Sequence, residues 1–423
     1  LLSGPSSGVT AAQFIAAELG ERRFLTMDMG GTSSDLSLIL DGEPTITGDA
    51  EVGDFPLMMP VTGIEAIGAG GGSICWMDGG VLRVGPRSAG ARPGPACFGH
   101  GGTQPTITDA YLLCGYLNPE NFLGGRMHLD RGAAQAAMAG VADALGVDLA
   151  RAAESCITVA TSNMVASVLP YLARHGLDPE DITLVLYGGA GSLHGPLLAA
   201  DLGVPRVLVP GIPSVFCAFG GLVAGLVHDT VATVHGATLD IDALQQVFDE
   251  KEAAARAWLD AQGVTSLLTG IVIEHWAEMR YRGQSFQLSV RVPQVALAQR
   301  SMALVEAAFH EEHERLYTHA DASAAVEFTE LRVRIRGLLP APRLREQPQR
   351  AGRGEQALSA RRDLHIGGCL YQNAAIYQRE QLVAGDVIEG AAVIEQVDTT
   401  ILVPAGWLAT VGRFGDILMT RRG

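Results

Sequence analysis

The stretch RFLTMDMGGTSSDLSLIL, residues 23–40, sets two acids, two glycines and three hydroxyls between two apolar runs. The element after the glycines constrains the fold. A P-loop or a dinucleotide-binding turn opens a helix, whereas Leu36, Leu38 and Leu40 alternate with Ser37 and Ile39 in the manner of a strand. The turn is therefore expected inside a β-hairpin. Glycine lets backbone N–H groups approach an anion, and Thr32, Ser33 and Ser34 add hydroxyl donors. Asp28, at the end of an apolar strand, suits Mg²⁺ or a water, because hard cations take carboxylate oxygens. The plainer alternative is an ordinary hairpin whose Asp and Ser satisfy the turn amides.

A phosphate turn carried by a hairpin belongs to the actin and sugar-kinase class of ATP folds, and composition agrees. At 423 residues the chain is too long for one ordinary core, so two or three domains are expected. Acids outnumber bases 46 to 30, a formal charge of -16 that repels phosphate backbones and anionic membranes. Neither nucleic acid nor a membrane is expected as a partner. Lys251 is the one lysine, which removes a P-loop lysine and Schiff-base chemistry. Six widely spaced cysteines form no CxxC pair and no disulfide framework, and they fit a reducing cytoplasm. No uninterrupted apolar run approaches the roughly 20 residues of a membrane-spanning helix.

Along the chain, VTAAQFIAAELG predicts a helix ending at Gly20, RFLTMD and LSLIL predict strands, and PTITG a third. A glycine turn lies at 68–72 and a hairpin around Asp78–Gly80. From Gly85 to Pro105 ten of 21 residues are Gly or Pro, a loop whose backbone amides are expected to be free for a ligand. Two Ala-rich helices come next. YGGAGSLHG, residues 187–195, predicts strand, glycine turn and helix. Its spacing approaches a dinucleotide turn, but the next strand ends in Pro210 and Gly211 where an acid would be needed. It reads as a turn that packs against adenosine or phosphate, or simply packs helix on strand. His194 reads as structural. The division expected is an α/β domain over 1–235 and an α+β, β-rich C-terminal domain over 236–423, with a linker at 340–363. His310 and His313 share a helix face at i, i+3, not the i, i+4 of a zinc helix. Cys97 and Cys217, among glycines, are candidate nucleophiles.

Taken in order, SGPSSGVTAA, DMGGTSSDLSLI, IGAGGGSI, the whole Gly/Pro loop, YGGAGSLHG, EMRYRGQSFQLSV and IEQVDTTILVPAGWLATV resemble the hydantoinase A / 5-oxoprolinase family over nearly the whole chain. The resemblance implies an actin-like ATPase (ribonuclease H-like) fold with a further C-terminal domain, and ATP cleavage coupled to attack on a cyclic amide or a ketone. It implies ATP and Mg²⁺ as cofactors, an oligomer, and a partner subunit of the hydantoinase B type. Carried over by position, Asp28, Gly30, Gly31, Thr32, Ser33 and Asp35 would hold phosphate and Mg²⁺, with Asp28 the metal ligand and a catalytic group. Gly188, Gly189 and Gly191 would face the adenosine, and Asp109 would be a second catalytic group facing the cleft. Family members carry a preceding domain with a first loop of the type DxGGTxTD, which this chain lacks, so alone it is expected to turn over ATP poorly. A non-catalytic scaffold subunit remains the alternative.

Overall fold

The computed structural model of the chain describes residues 3–47, 51–52, 55–56, 61–237, 239–340 and 342–422. Helix α1 (Ser3–Leu19) takes SGPSSG into its first turns and ends at Gly20, whose φ is 73°. β1 (Arg23–Met29) and β2 (Ser34–Leu40) then form the expected hairpin, with Asp28 opposite Asp35. β3 (Glu43–Pro44) and β4 (Glu65–Ile67) both pair with β2. The third strand expected at PTITG is two short pieces, Glu43–Pro44 and Ile46–Thr47, because a proline cannot donate to a ladder; its Gly48 lies outside the described residues. β5 (Ser73–Asp78) and β6 (Val81–Ser88) make a hairpin over Gly79 and Gly80, both at positive φ. Next come α2 (Ile107–Leu113), α3 (Arg131–Leu145), α4 (Leu149–Arg174), β7 (Thr183–Tyr187), α5 (Gly191–Leu202), β8 (Arg206–Val209) and α6 (Phe216–Val223).

Residues 223–342 form a compact unit of their own. Its antiparallel sheet runs β9 (Leu226–Ala237), β12 (Val326–Leu338), β10 (Gly270–Tyr281), β11 (Leu288–Val292) in spatial order. Helices α7 (Ile241–Ala261), α8 (Gln294–Ala298) and α9 (Met302–Tyr317) supply Phe248 and Leu259, Ala296, and Val305 and Phe309 respectively to a core shared with Met279, Val333 and Ile335. Polar residues that alternate with these core positions form ion pairs such as Arg334 with Asp229 and Arg336 with Glu274.

The other unit joins residues 1–222 to 343–423. Its last strands are β13 (Gln349–Gly352), β14 (Leu358–Ile366), β15 (Cys369–Gln378), β16 (Ala384–Glu389), β17 (Ala392–Gln396), β18 (Thr399–Val403), β19 (Trp407–Val411) and β20 (Ile417–Arg421). The ten-stranded central sheet has the order β13-β16-β19-β20-β8-β7-β1-β2-β3, with β4 also on β2. β7 runs parallel to β1 and to β8, and β2 and β3 are antiparallel additions. This is the actin-like, ribonuclease H-like arrangement expected from the sequence. β7 and β8 are buried on both faces and so read as unbroken apolar runs, TLVLY and RVLV. Leu25, Met27 and Leu186 belong to the core that takes in α4 and α5, whereas Phe24, Val185 and Tyr187 pack with α1 and Phe216 of α6.

By compactness residues 343–423 group with residues 1–222: β20 pairs with β8, Arg206 opposite Thr420, so the β-rich tail extends the first sheet. The segment expected as a linker carries β13, and β14 begins within it. α4 is the one described helix long and apolar enough to cross a membrane. Ala153, Ile157, Ala160, Met164 and Val168 along it are buried in the core, which accounts for its apolar stripe.

Candidate functional site

The β1–β2 turn is built against a second glycine turn. The Gly71 and Gly72 amides donate to the Gly30 and Gly31 carbonyls at 3.0 and 2.6 Å, and the Ser34 hydroxyl donates to the Ala69 carbonyl. A Cβ on Gly70 would lie 2.8 Å from the Thr32 nitrogen, so only glycine lets the two backbones stack. Gly30 donates back to the Ser33 carbonyl at 3.1 Å, which closes the turn. Gly31 and Thr32 are exposed and Ser33 is half-buried, and the amides of Gly31 and Thr32 have no acceptor among the described residues. The carbonyls are thus consumed in holding the turn while amides are left open to an anion.

Asp28 and Asp35 face each other across the ladder, and opposite residues of an antiparallel pair point to the same side. Both are half-buried. Burial holds the Asp28 carboxyl above its ordinary range, offset in part by the Cys217 thiol, which donates to Asp28 Oδ2 at 3.2 Å. Asp35 is raised by burial and then by the charge of Asp28. Two carboxyls that each resist ionising beside the other are a donor set that a divalent cation relieves. Mg²⁺ binds through one or two carboxylates and completes its shell with water and phosphate, so the pair fits that ion. Among the described residues no cluster of three or more His, Cys, Asp or Glu is arranged to hold a metal.

YGGAGSLHG is the strand, turn and helix that the sequence implies, and its glycines divide by role. Gly188 has φ 79°, and a Cβ there would stand 2.3 Å from Asp28 Oδ1. Gly191 sits 3.5 Å, by its virtual Cβ, from the Met27 carbonyl, bringing the N-terminus of α5 against the end of β1. Gly195 makes room for Leu186 and is there for packing. The N-cap of α5, Ala190, provides no capping side chain, and the fully buried Ser192 hydroxyl is unpartnered. An uncapped helix N-terminus beside open turn amides favours an anion.

Gly30, Gly31, Gly71, Gly189 and Ala190 all line one cavity of about 280 Å³. Its other walls are apolar (Phe98, Phe122, Leu193 and Val397) and polar (Asn118, Asn121, Glu395 and Asp398). The structure therefore brings the phosphate turn and the GGAG turn to one place, together with a hairpin from the tail.

Asp109, expected to face the cleft, does not line that cavity, and neither do Asp28 and Asp35. It is fully buried, and its carboxylate accepts from the amides of Ala96, Cys97 and Thr106 and from the Thr106 hydroxyl at 2.7–3.2 Å. It closes a capping box at the start of α2. The amides of the Gly/Pro loop do bind an anion, but that anion is this side chain. Cys97 is buried beside it, and burial followed by the Asp109 charge pushes its thiol far above the usual range, unlike a nucleophile. Cys217 is raised to about 12 by burial and then by Asp28, so it too stays a thiol. His194 is buried between the Tyr111 and Thr161 hydroxyls at 2.8 and 3.4 Å, and burial lowers it to about 4. His313 spends its nitrogens on Gln284 and the His319 carbonyl, and His310 meets the Tyr281 hydroxyl.

Sequence reasoning missed the contact of Cys217 with Asp28 and the cavity residues of β17, β18 and the loop after α2. The motif IEQVDTT was visible as part of the resemblance, yet nothing local in it says that it meets Gly30.

Similarity to known proteins shows the family. A hydantoinase/oxoprolinase model matches residues 1–230, and a hydantoinase/oxoprolinase C-terminal domain model matches residues 235–416. The caprolactamase subunit alpha of Pseudomonas jessenii is 33% identical over 96% of this chain and 59% of its own length. The acetone carboxylase beta subunit of Xanthobacter autotrophicus is 30% identical, again over 96% and 59%. Among solved structures, nucleotide-free acetone carboxylase matches with a TM-score of 0.82 at 27% identity over 99% of this chain and 61% of that one. The ATP-dependent caprolactamase structure matches with 0.79 at 31% identity, with the same coverage. The chain thus spans about 60% of the length of these relatives, and it belongs to the hydantoinase/oxoprolinase family.

Proposed function

We propose that this chain is the nucleotide-binding part of an ATP-dependent hydrolase of cyclic amides, of the hydantoin or 5-oxoproline type. The observation that carries the reading is the meeting of the DMGGTSSD turn, through Gly30 and Gly31, with the uncapped N-terminus of α5 around one cavity, while Asp28 and Asp35 face each other on the two strands that the turn joins. In this reading Gly30, Gly31, Thr32 and Ser33 hold the phosphates, and Asp28 with Asp35 holds Mg²⁺. Gly188, Gly189 and Gly191 face the adenosine. Mg²⁺, when bound, neutralises the phosphate oxygens. The substrate's carbonyl oxygen takes the terminal phosphoryl group and ADP leaves; water adds to the activated carbon, the ring C–N bond breaks with its electron pair and a proton going to nitrogen, and hydrolysis of the resulting acyl phosphate releases inorganic phosphate. A hydantoinase B type subunit is the proposed partner. The test is ADP release by the whole protein with that partner across a panel of lactams and hydantoins. Release is expected only when a cyclic amide is present, and no stimulation across the panel sinks the reading.

The likeness to the acetone carboxylase beta subunit favours a second reading, in which a ketone is activated and carboxylated. Incorporation of labelled bicarbonate separates the two.

A further inference from the structure

We infer that the β17–β18 hairpin of the tail recognises the nucleoside half of the nucleotide, through Asp398 and Thr399. This rests on the reading of an ATP-dependent enzyme and adds a recognition element from the C-terminal end of the chain.

Three neighbouring residues at the hairpin tip, all among those that line the cavity, hold buried polar atoms with unmet hydrogen-bonding capacity. The Ser214 hydroxyl donates to Asp398 Oδ2, while Asp398 Oδ1 is buried and has no partner among the described residues. Gln396 donates its amide to the Gly211 carbonyl, which leaves its own Oε1 buried and unpartnered. Thr399 is 6% exposed and its hydroxyl is unpartnered. A buried polar atom without a partner costs about 1–3 kcal/mol. Two orphan acceptors and a hydroxyl therefore call for a ligand edge rich in N–H and O–H donors.

Charge and shape narrow that ligand. No Lys, Arg or His lines the cavity, and two carboxylates do. Glu395 is paired with Arg362 and accepts from Asn118, Asn121 and Gln378, so its charge is compensated and Asp398 is the carboxylate with an open oxygen. An anionic group is disfavoured beside Asp398, so the phosphates belong at the Gly30–Gly31 wall of the cavity and the uncharged half of the ligand at the hairpin. Its volume, about 280 Å³, lies at the small end of the roughly 300–1,000 Å³ range of ligand sites, too small for a whole nucleotide. The tilted rings of Phe98 and Phe122, 5.7 Å apart, offer an apolar wall beside the bare backbone of Gly71 and Gly189. A lactam presents one N–H donor and a hydantoin two, and neither ring carries a hydroxyl. A nucleoside presents two ribose hydroxyls and an exocyclic amine on a flat body, with phosphates that stay at the Gly30–Gly31 turn.

The test compares Asp398→Asn and Thr399→Val with wild type in the whole protein, with folding checked by melting temperature. Asparagine keeps an acceptor for Ser214 and turns the open oxygen into a donor, so the hairpin is retained while its complementarity is reversed. Calorimetry with MgADP, 2′-deoxy-ADP, inosine diphosphate and pyrophosphate gives the readout. The expected result is MgADP binding weakened about 10-fold or more by Asp398→Asn and less by Thr399→Val, with pyrophosphate unchanged. Wild-type loss on 2′-deoxy-ADP assigns the contact to the ribose, and loss on inosine diphosphate assigns it to the amine. Unchanged MgADP affinity in both variants, with a raised KM for a cyclic amide, overturns the inference and gives the cavity to the substrate. Absence of MgADP binding by wild type itself would instead remove the ATP reading on which the inference rests.

Discussion

Asp28 and Asp109 are both acids removed from bulk water at the edge of a glycine-rich turn, and they do opposite work. Asp109 accepts four hydrogen bonds, three from backbone amides, and anchors the Gly/Pro loop. Asp28 accepts from the Cys217 thiol, faces a second acid, and is held above the normal carboxylate range by burial. The contrast separates architecture from function by unspent capacity. A carboxylate saturated by its own chain has nothing left for a ligand, whereas one that burial destabilises keeps capacity for a partner, the role proposed for Asp28.

The largest expected effect tests the Asp28 side of that contrast. Asp28→Asn should lower ATP turnover by about 10²–10³-fold, the scale on which one electrostatic stabiliser acts, without loss of folding. The sign for stability comes from the raised pKa. The folded state holds the Asp28 proton more tightly than the unfolded state, so this group's contribution is present at low pH and is lost as pH rises through the folded value. Removing the charge should therefore raise the melting temperature relative to wild type at pH 8, with the gain fading towards pH 4. A variant that melts several degrees lower at pH 8 and keeps its turnover would break the comparison.

Asp109→Ala reverses the pattern. It leaves buried amides of Ala96, Cys97 and Thr106 without an acceptor, and should cost about 3 kcal/mol of stability. The urea midpoint measures this, and turnover per folded molecule should stay within a few-fold of wild type. Loss of turnover at unchanged stability would return Asp109 to the catalytic role expected of it from the sequence.

The two acids also show what was legible before the structure. The phosphate hairpin is local: alternating Leu36, Leu38 and Leu40 announce a strand after the glycines, and they form it. The role of Asp109 was local as well, since Thr106 and Asp109 have the spacing of a capping box, but the pull of a cleft-facing acid outweighed it. What the chain order hides is pairing at long range. Nothing near Arg206 says that Thr420 lies beside it, so the extension of the first sheet by the tail is hidden in the sequence. The cavity suffers in the same way, because Gly30, Phe122, Gly189 and Asp398 come from four distant segments.

The smallest effect sharpens the Asp28 side. Cys217 is raised to about 12, so near neutrality it is a thiol that donates to Asp28 and favours the ionised carboxylate. Cys217→Ala removes that donor and lets the Asp28 pKa climb further. A net hydrogen bond of about 0.7 kcal/mol corresponds to about half a pH unit. The acidic limb of the kcat/KM profile for ATP should move up by roughly that amount, with kcat at pH 8 nearly unchanged. Cys217→Ser keeps a donor in place and should restore the limb, which a purely packing role for the side chain would not do. If the limb stays fixed in the alanine variant, the thiol only fills space beside Gly8 and Tyr187, and burial alone sets the Asp28 carboxyl.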